Sequence, residues 1–299
     1  MEQLHEPTAG IIADLAFGGI LTAMVTPFDA DGEIDEHAFV ALLHHLMEEA
    51  GSDGLVVAGT TGEGSTMSDA EKCRLWELAV DEAGGAPVIA GTGSNDTKHS
   101  AELTRRADAI GVDGVLVVSP YYNRPNRRGI VAHYQAVAAA TERPVVLYNI
   151  PQRSAIDMPN DLLAELAEID NVVAVKQARY EQLEPIEGLS LLAGNDDMLP
   201  DVLDMGGTGG ILVASHVAGH EMRRMIDEPD SRREIHDSLT GLYEALGVAP
   251  AACSVKGALE MLGHEAGVPR LPYVELTRQE AATVHEALER HGLPASAKA

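Results

Sequence analysis

The sequence is poor in positive charge. Lys and Arg total 21 of 299 residues against 47 Asp and Glu, a formal net charge of −26. A surface so acidic repels phosphate backbones, so no nucleic-acid partner is expected. It suits concentrated salt, where screening removes self-repulsion. Cysteine is nearly absent: Cys73 and Cys253 show no metal or redox spacing and are expected to stay reduced. No apolar run approaches bilayer-spanning length, so no membrane partner is expected. The first twenty residues hold Glu2, Glu6 and Asp14 but no Lys or Arg, which leaves no signal-peptide n-region. Cytoplasmic localisation follows as the expectation. Also missing are a G-x-G-x-x-G after the first apolar stretch and, after Gly59–Ser65, the Gly-Lys-Ser/Thr of a P-loop. His44-His45 lacks the geometry of a metal site, and no motif supports a Ser/His/Asp triad. Neither metal nor cofactor is expected.

What is present is a 45 % apolar chain with a repeat. From Gly19 onward, a short apolar strand, a polar or glycine-bearing turn and an amphipathic helix recur eight times. The strands are expected at Ile20–Val25, Gly54–Ala58, Val88–Gly91, Gly114–Val118, Val145–Tyr148, Val172–Lys176, Leu191–Gly194 and Gly210–Val213. Between them, Phe39, Leu42, Leu43, Leu46 and Met47 form one helical face after Asp35, an N-cap. Ser68 and Glu71 make a capping-box pattern, and Gly84-Gly85 closes the helix it opens. Eight alternations predict an α/β fold, a parallel (β/α)8 TIM barrel. An open doubly wound sheet is the runner-up, but Thr26-Pro27-Phe28-Asp29 follows its first strand where a phosphate fingerprint is wanted. Residues 1–17 read as an N-terminal extension and 18–235 as the barrel. Residues 236–299 read as a small C-terminal helical region of three helices, the last opened by a Thr277/Glu280 capping box.

In such a barrel the chemistry gathers where the strands end. Those ends supply Gly59-Thr60-Thr61-Gly62-Glu63, Gly91-Thr92-Gly93, Ser119-Pro120-Tyr121-Tyr122, Tyr148-Asn149-Ile150-Pro151-Gln152-Arg153, Lys176, and Gly194-Asn195-Asp196-Asp197. Lys176, one of five lysines, closes the buried run Val172-Val173-Ala174-Val175. An ammonium held among apolar walls loses hydration, its pKa falls, and a neutral nucleophilic amine becomes available for imine chemistry. The plain alternative is a lysine that snorkels into water. Tyr148 is a candidate proton relay, the Thr60-Thr61 turn a carboxylate cradle, and Arg153 a bidentate fork for a second carboxylate. Each has its ordinary counterpart: a packing tyrosine, a βα turn and a surface charge.

With these motifs in place, the chain resembles the dihydrodipicolinate synthase / N-acetylneuraminate lyase family of Schiff-base class I aldolases. The likeness runs from Gly19 to Pro272 and is carried by Leu21–Phe28, Gly59–Glu63, Val88–Gly93, Pro120–Asn123, Tyr148–Pro151 with Arg153, and Val175-Lys176. Val255–Leu259 and Arg270–Pro272 resemble the synthase branch. The resemblance implies a lyase in which Lys176 forms an imine with pyruvate. Thr60, Tyr148 and Tyr122, the last from a neighbouring subunit, would move protons. Thr61 would hold the pyruvate carboxylate, and Gly194 and Ile211 would line the substrate pocket. Arg153 would grip the carboxylate of aspartate 4-semialdehyde, on the route to lysine and diaminopimelate. It also implies a homo-oligomer, usually a tetramer built as a dimer of dimers. The alternatives are a relative acting on another acceptor (N-acetylneuraminate lyase-like, or a 2-keto-3-deoxy sugar acid aldolase) and a non-catalytic barrel.

Two places depart from the family pattern. Gln177 stands where synthases often carry an acid, and the eighth strand reads Gly210-Ile211-Leu212-Val213-Ala214-Ser215-His216-Val217. In lysine-inhibited relatives a histidine and a glutamate hold the effector. The matching positions here are Asp69 and His99, with Asn95 and Tyr121 retained, so weak or absent lysine inhibition is expected.

Overall fold

The structure, a computed structural model, describes residues 19–296, and the expected N-terminal extension lies outside the described residues. Eight short strands run β1 Ile20–Ala23, β2 Gly54–Val57, β3 Val88–Gly91, β4 Gly114–Val118, β5 Val145–Asn149, β6 Val172–Gln177, β7 Ser190–Ala193 and β8 Gly209–Leu212. All pair in parallel with their sequence neighbours, and β8 returns to β1, closing the barrel. Every expected strand is found, β3 and β4 with the expected bounds and the others with ends shifted by one or two residues. Helices α1 Glu36–Glu48, α2 Asp69–Glu82, α3 Thr97–Ile110, α4 Arg127–Ala138, α5 Pro151–Ser154, α6 Asn160–Leu166, α7 Leu199–Asp204 and α8 Ser215–Asp227 fill the connections. Three more follow, α9 Arg232–Leu246, α10 Ala251–Leu262 and α11 Arg278–Arg290.

Local chemistry starts the helices where the sequence suggested. Asp35 accepts from the Ala38 N–H, and Ser68/Glu71 and Thr277/Glu280 each close both arms of a capping box. Such caps stabilise a helix by about 1 kcal/mol each. The helices bury their apolar faces on the barrel. Trp76 of α2, fully buried, donates from Nε1 to the Val57 carbonyl at 3.3 Å. Tyr134 of α4 donates to the Val117 carbonyl at 3.1 Å. At the opposite end from the strand exits, Asp53 accepts from the Ile20 N–H and Asp113 from the Val88 N–H, both at 2.8 Å.

Two apolar layers result. Leu55, Val57, Val115, Val117, Val145 and Leu147 face outward to the helices. Leu21, Val56, Ile89, Leu116, Val146, Leu192 and Ile211 fill the barrel interior. Strict alternation holds except on β6, where the register with β5 shifts after Val145↔Val172, so that Val146 stands opposite Ala174. Val173 is the extra residue of a β-bulge, and both Val173 and Ala174 join the interior layer. The slip returns Lys176 to the inward face, opposite Tyr148. No single helix among the described residues is long and apolar enough to cross a membrane.

Candidate active site

Lys176 lies one residue from the end of β6 and is only 5 % exposed. Its Nζ is 4.3 Å from the centroid of the Tyr148 ring on β5. Burial brings its pKa down to about 7, assisted by the positive charge of Arg153 and opposed by Asp196. At neutral pH a substantial fraction of the amine is therefore uncharged. Tyr148 is equally buried, and loss of hydration pushes its phenol up to about 12, with Arg153 pulling the other way. It is a neutral hydroxyl at pH 7, able to pass a proton without holding charge.

A cavity of about 480 Å³ opens over the amine, lined by Thr60, Thr61, Tyr148, Arg153, Lys176 and Gly194 among others. A second cavity of about 610 Å³ shares Thr60, Tyr148, Ile150 and Arg153 with it. Six of the residues singled out in the sequence thus surround one space. Arg153 lies in the last turn of the short helix α5, is exposed, and among the described residues no carboxylate pairs with it. Gly194 must be glycine: a Cβ there would stand 2.6 Å from the Gln177 carbonyl oxygen, beside the lysine strand.

The Thr60-Thr61 turn is tightly made. The Glu63 N–H donates to the Thr60 carbonyl at 3.1 Å and the Gly64 N–H to Gly59 at 3.0 Å. Thr26 Oγ1 donates to the Gly62 carbonyl at 2.8 Å. Thr61 is buried, whereas Thr60 is open to both cavities.

Two residues fall elsewhere. Tyr122 is 86 % exposed on the loop after β4, in a left-handed conformation at φ 72°, its N–H donating to the Ser154 carbonyl at 3.2 Å. Ile211 is fully buried in the barrel interior; Val213, two residues on, lines the cavity instead. Gln177 points away from the cavity and is buried, its Oε1 accepting from Asn149 Nδ2 at 3.1 Å and the Arg179 N–H at 3.2 Å. That departure therefore rebuilds the strand's outer support rather than the substrate pocket.

Sequence reasoning placed Asp196 at a strand end without giving it a role, and missed the part of the wall that α9 supplies. Asp196 accepts from the Val213 and Ala214 N–H groups at 2.8 and 3.0 Å, and burial raises its pKa. His236, Thr240, Tyr243 and Glu244 of α9 line the same side. Nothing in a lone helical periodicity says that a helix beyond the barrel folds back over the rim. Among the described residues no group of three or more His, Cys, Asp or Glu is placed to hold a metal ion.

A (β/α)8 barrel that dehydrates one lysine beside a tyrosine at its carboxyl rim defines a class, the imine-forming lyases and aldolases. Within it, the profile of the Dihydrodipicolinate synthetase family matches residues 16–291, and the chain belongs to that family. A 4-hydroxy-tetrahydrodipicolinate synthase of Desulforudis audaxviator is 44 % identical over 277 residues, 88 % of this chain and 94 % of the relative. One from Bacillus subtilis is 41 % identical over 287 residues, 91 % and 98 % of the two chains. The crystal structure of a DHDPS from Cyanidioschyzon merolae with lysine bound superposes with a TM-score of 0.89 at 38 % identity, covering 93 % of this chain and 99 % of that one.

Proposed function

We propose that the chain is a 4-hydroxy-tetrahydrodipicolinate synthase, condensing pyruvate with aspartate 4-semialdehyde. The observation that carries the reading is the dehydrated amine of Lys176 against the Tyr148 ring, at the mouth of a cavity with an unpaired arginine. The neutral amine attacks the keto carbon of pyruvate, and water leaves to give the imine. Thr61 holds the pyruvate carboxylate. Tyr148 and Thr60, with Tyr122 from a second copy, carry the protons that this addition and dehydration require. The iminium nitrogen then withdraws electrons, the methyl group loses a proton, and an enamine forms. Its terminal carbon attacks the aldehyde of the acceptor, whose carboxylate rests on Arg153. The acceptor's amino group adds to the imine carbon and displaces Lys176, closing the ring and freeing the enzyme.

Tyr122 lies on the surface of a single chain, so this reading includes a homo-oligomer, a dimer at least and a tetramer by family habit. Borohydride reduction in the presence of pyruvate tests the first half: a mass adduct should appear and be lost in Lys176→Ala. A coupled assay with aspartate 4-semialdehyde tests the second. Trapping without turnover of that aldehyde would move the chain to another pyruvate-dependent aldolase of the family.

A further inference from the structure

The reaction as written uses neither Glu63 nor Lys256, yet the two form a deeply buried charge pair. Lys256 Nζ lies 2.6 Å from Glu63 Oε1, with side chains 3 % and 0 % exposed. Glu63 belongs to the turn that carries Thr60 and Thr61; Lys256 belongs to α10, 193 residues later. The other carboxylate oxygen of Glu63 accepts from the Arg270 N–H at 2.8 Å. Lys256 donates a second time, to the Val268 carbonyl at 2.9 Å. Lys256 and Arg270 also approach the Phe28 ring, at 4.5 and 4.1 Å from its centroid. Val268 closes the circuit, its N–H donating to the Phe28 carbonyl at 3.1 Å.

Two features say that this cluster does more than hold the C-terminal helices on. First, Glu63 is left-handed, at φ 59°. A non-glycine residue keeps that conformation only where its surroundings impose it. Here the Glu63 carbonyl accepts from the Thr66 N–H and Oγ1, both at 3.0 Å, and its carboxylate is held by two further donors. Second, a buried ion pair is a poor source of stability, because desolvation offsets most of the attraction and apolar residues of similar volume often serve as well. A carboxylate gripped from two fixed directions does give orientation. The residue it orients is three positions from Thr60 and two from Thr61, and the Glu63 N–H is itself bonded to the Thr60 carbonyl at 3.1 Å.

We propose that Lys256 and Glu63 are positioning residues: α10 sets the backbone of the Thr60-Thr61 turn through the Glu63 carboxylate. Both threonines then meet the pyruvate imine in reactive alignment. The inference rests on the pyruvate reading above. It makes the C-terminal helices part of the catalytic apparatus.

The test uses two variants of the full chain. Lys256→Met alone leaves a buried carboxylate without its partner and should lower the melting temperature sharply. Adding Glu63→Gln removes both charges at nearly constant volume and should recover most of that loss. In the double variant borohydride should still trap pyruvate on Lys176, while kcat falls about tenfold or more and KM for pyruvate rises severalfold. A merely structural pair predicts recovery of both stability and kcat. A folded double variant with wild-type kcat and KM overturns the proposal. Absence of trapping in the unmodified enzyme would instead remove the pyruvate reading. Should the double variant fail to fold, hydrogen exchange on the unmodified protein decides. Pyruvate should slow exchange of the Glu63 and Arg270 N–H groups together, and protection of the turn without Arg270 refutes the coupling.

Discussion

Tyr148 and Lys176 stand opposite each other on β5 and β6 because one residue of β6 is out of step. Without the bulge at Val173, the register set by Val145↔Val172 would pair Tyr148 with Val175, a residue of the outer layer. With it, the amine turns inward and its nitrogen lies over the tyrosine ring at 4.3 Å. The catalytic geometry is thus a property of strand register before it is one of side chains.

The buried amine fixes the pH dependence of imine formation. Its pKa of about 7 lies below the lysine reference of 10.5, so the reactive neutral form grows as pH rises. Single-turnover imine formation should rise about tenfold per pH unit below 7 and level off above it. Lys176→Ala should abolish trapping and lower turnover at least about 10³-fold. A rate that still climbs about tenfold per pH unit from 7 to 9, with no plateau, would show that the amine is not desolvated in solution.

On the proposed reading Arg153 serves both substrates, by contact with the acceptor and through space at the amine that takes pyruvate. Its positive charge disfavours the ammonium of Lys176 and favours ionisation of Tyr148. Arg153→Ala should therefore move the acid limb of the imine-formation profile to higher pH. It should also raise KM for the acceptor aldehyde about 10- to 100-fold, the loss of a bidentate carboxylate contact. Unchanged turnover of aspartate 4-semialdehyde in that variant would rule out the synthase assignment.

Much of this arrangement could be read before any coordinates. Caps at Asp35, Ser68 and Thr277 act within one turn of helix, and strands of a doubly covered sheet are short apolar runs. Both signals are local. The rule that a barrel's strand ends face one rim then gathers Thr60, Thr61, Tyr148, Arg153 and Gly194 around Lys176. What stayed hidden is non-local. A run such as Val172-Val173-Ala174-Val175 is apolar on both faces, so it carries no parity from which a bulge could be inferred. Ile211 and Val213 face the same way along the β8 segment, so which of them meets the cavity depends on how deep the rim lies along the strand, which alternation does not record. Tyr243 and His236 reach the site from α9, and Glu63 meets Lys256 across 193 residues. No spacing within either segment announces those meetings.

Tyr122 tests assembly. It is the most exposed large hydrophobic residue described, at 86 %, and its backbone is held left-handed. A side chain presented in that way suits insertion into a neighbour. Tyr122→Phe should lower kcat about 10²- to 10³-fold without altering a single chain's fold, as loss of a proton-relay hydroxyl does. Dilution below the dissociation constant of the dimer should cost activity in parallel. Full activity of a monomer, measured by sedimentation alongside turnover, would remove Tyr122 from the site.

Salt should stabilise the protein. The net charge of −26 makes repulsion outweigh attraction on the surface. Exposed pairs such as Arg74–Glu36 and Arg224–Glu228 contribute little and are screened too. With 47 acidic and 21 basic side chains, screening removes more repulsion than attraction. The melting temperature should climb by several degrees between dilute buffer and molar potassium chloride. A flat or falling curve would refute the high-salt reading.

Lysine should leave the enzyme nearly untouched. The 610 Å³ cavity beside the amine site is lined by Lys72, His99, Tyr121, Arg153 and Tyr273, and no aspartate or glutamate is among its lining residues. The acids bonded to His99 are occupied: Asp69 Oδ1 is 2.8 Å from His99 Nε2 and its Oδ2 is 3.9 Å from Arg106, while Asp96 Oδ1 accepts from the Lys98 and His99 N–H groups at 2.9 and 3.4 Å. A ligand carrying two ammonium groups would meet cations and no free carboxylate, and desolvation of those groups would go uncompensated. Calorimetry with millimolar lysine should give no saturable heat, and turnover should stay within about twofold of the uninhibited rate. Exchanging the pair, with His99→Glu and Asp69→His, would put a carboxylate on the cavity wall and should confer lysine sensitivity. Micromolar lysine binding by the unmodified chain would overturn this expectation.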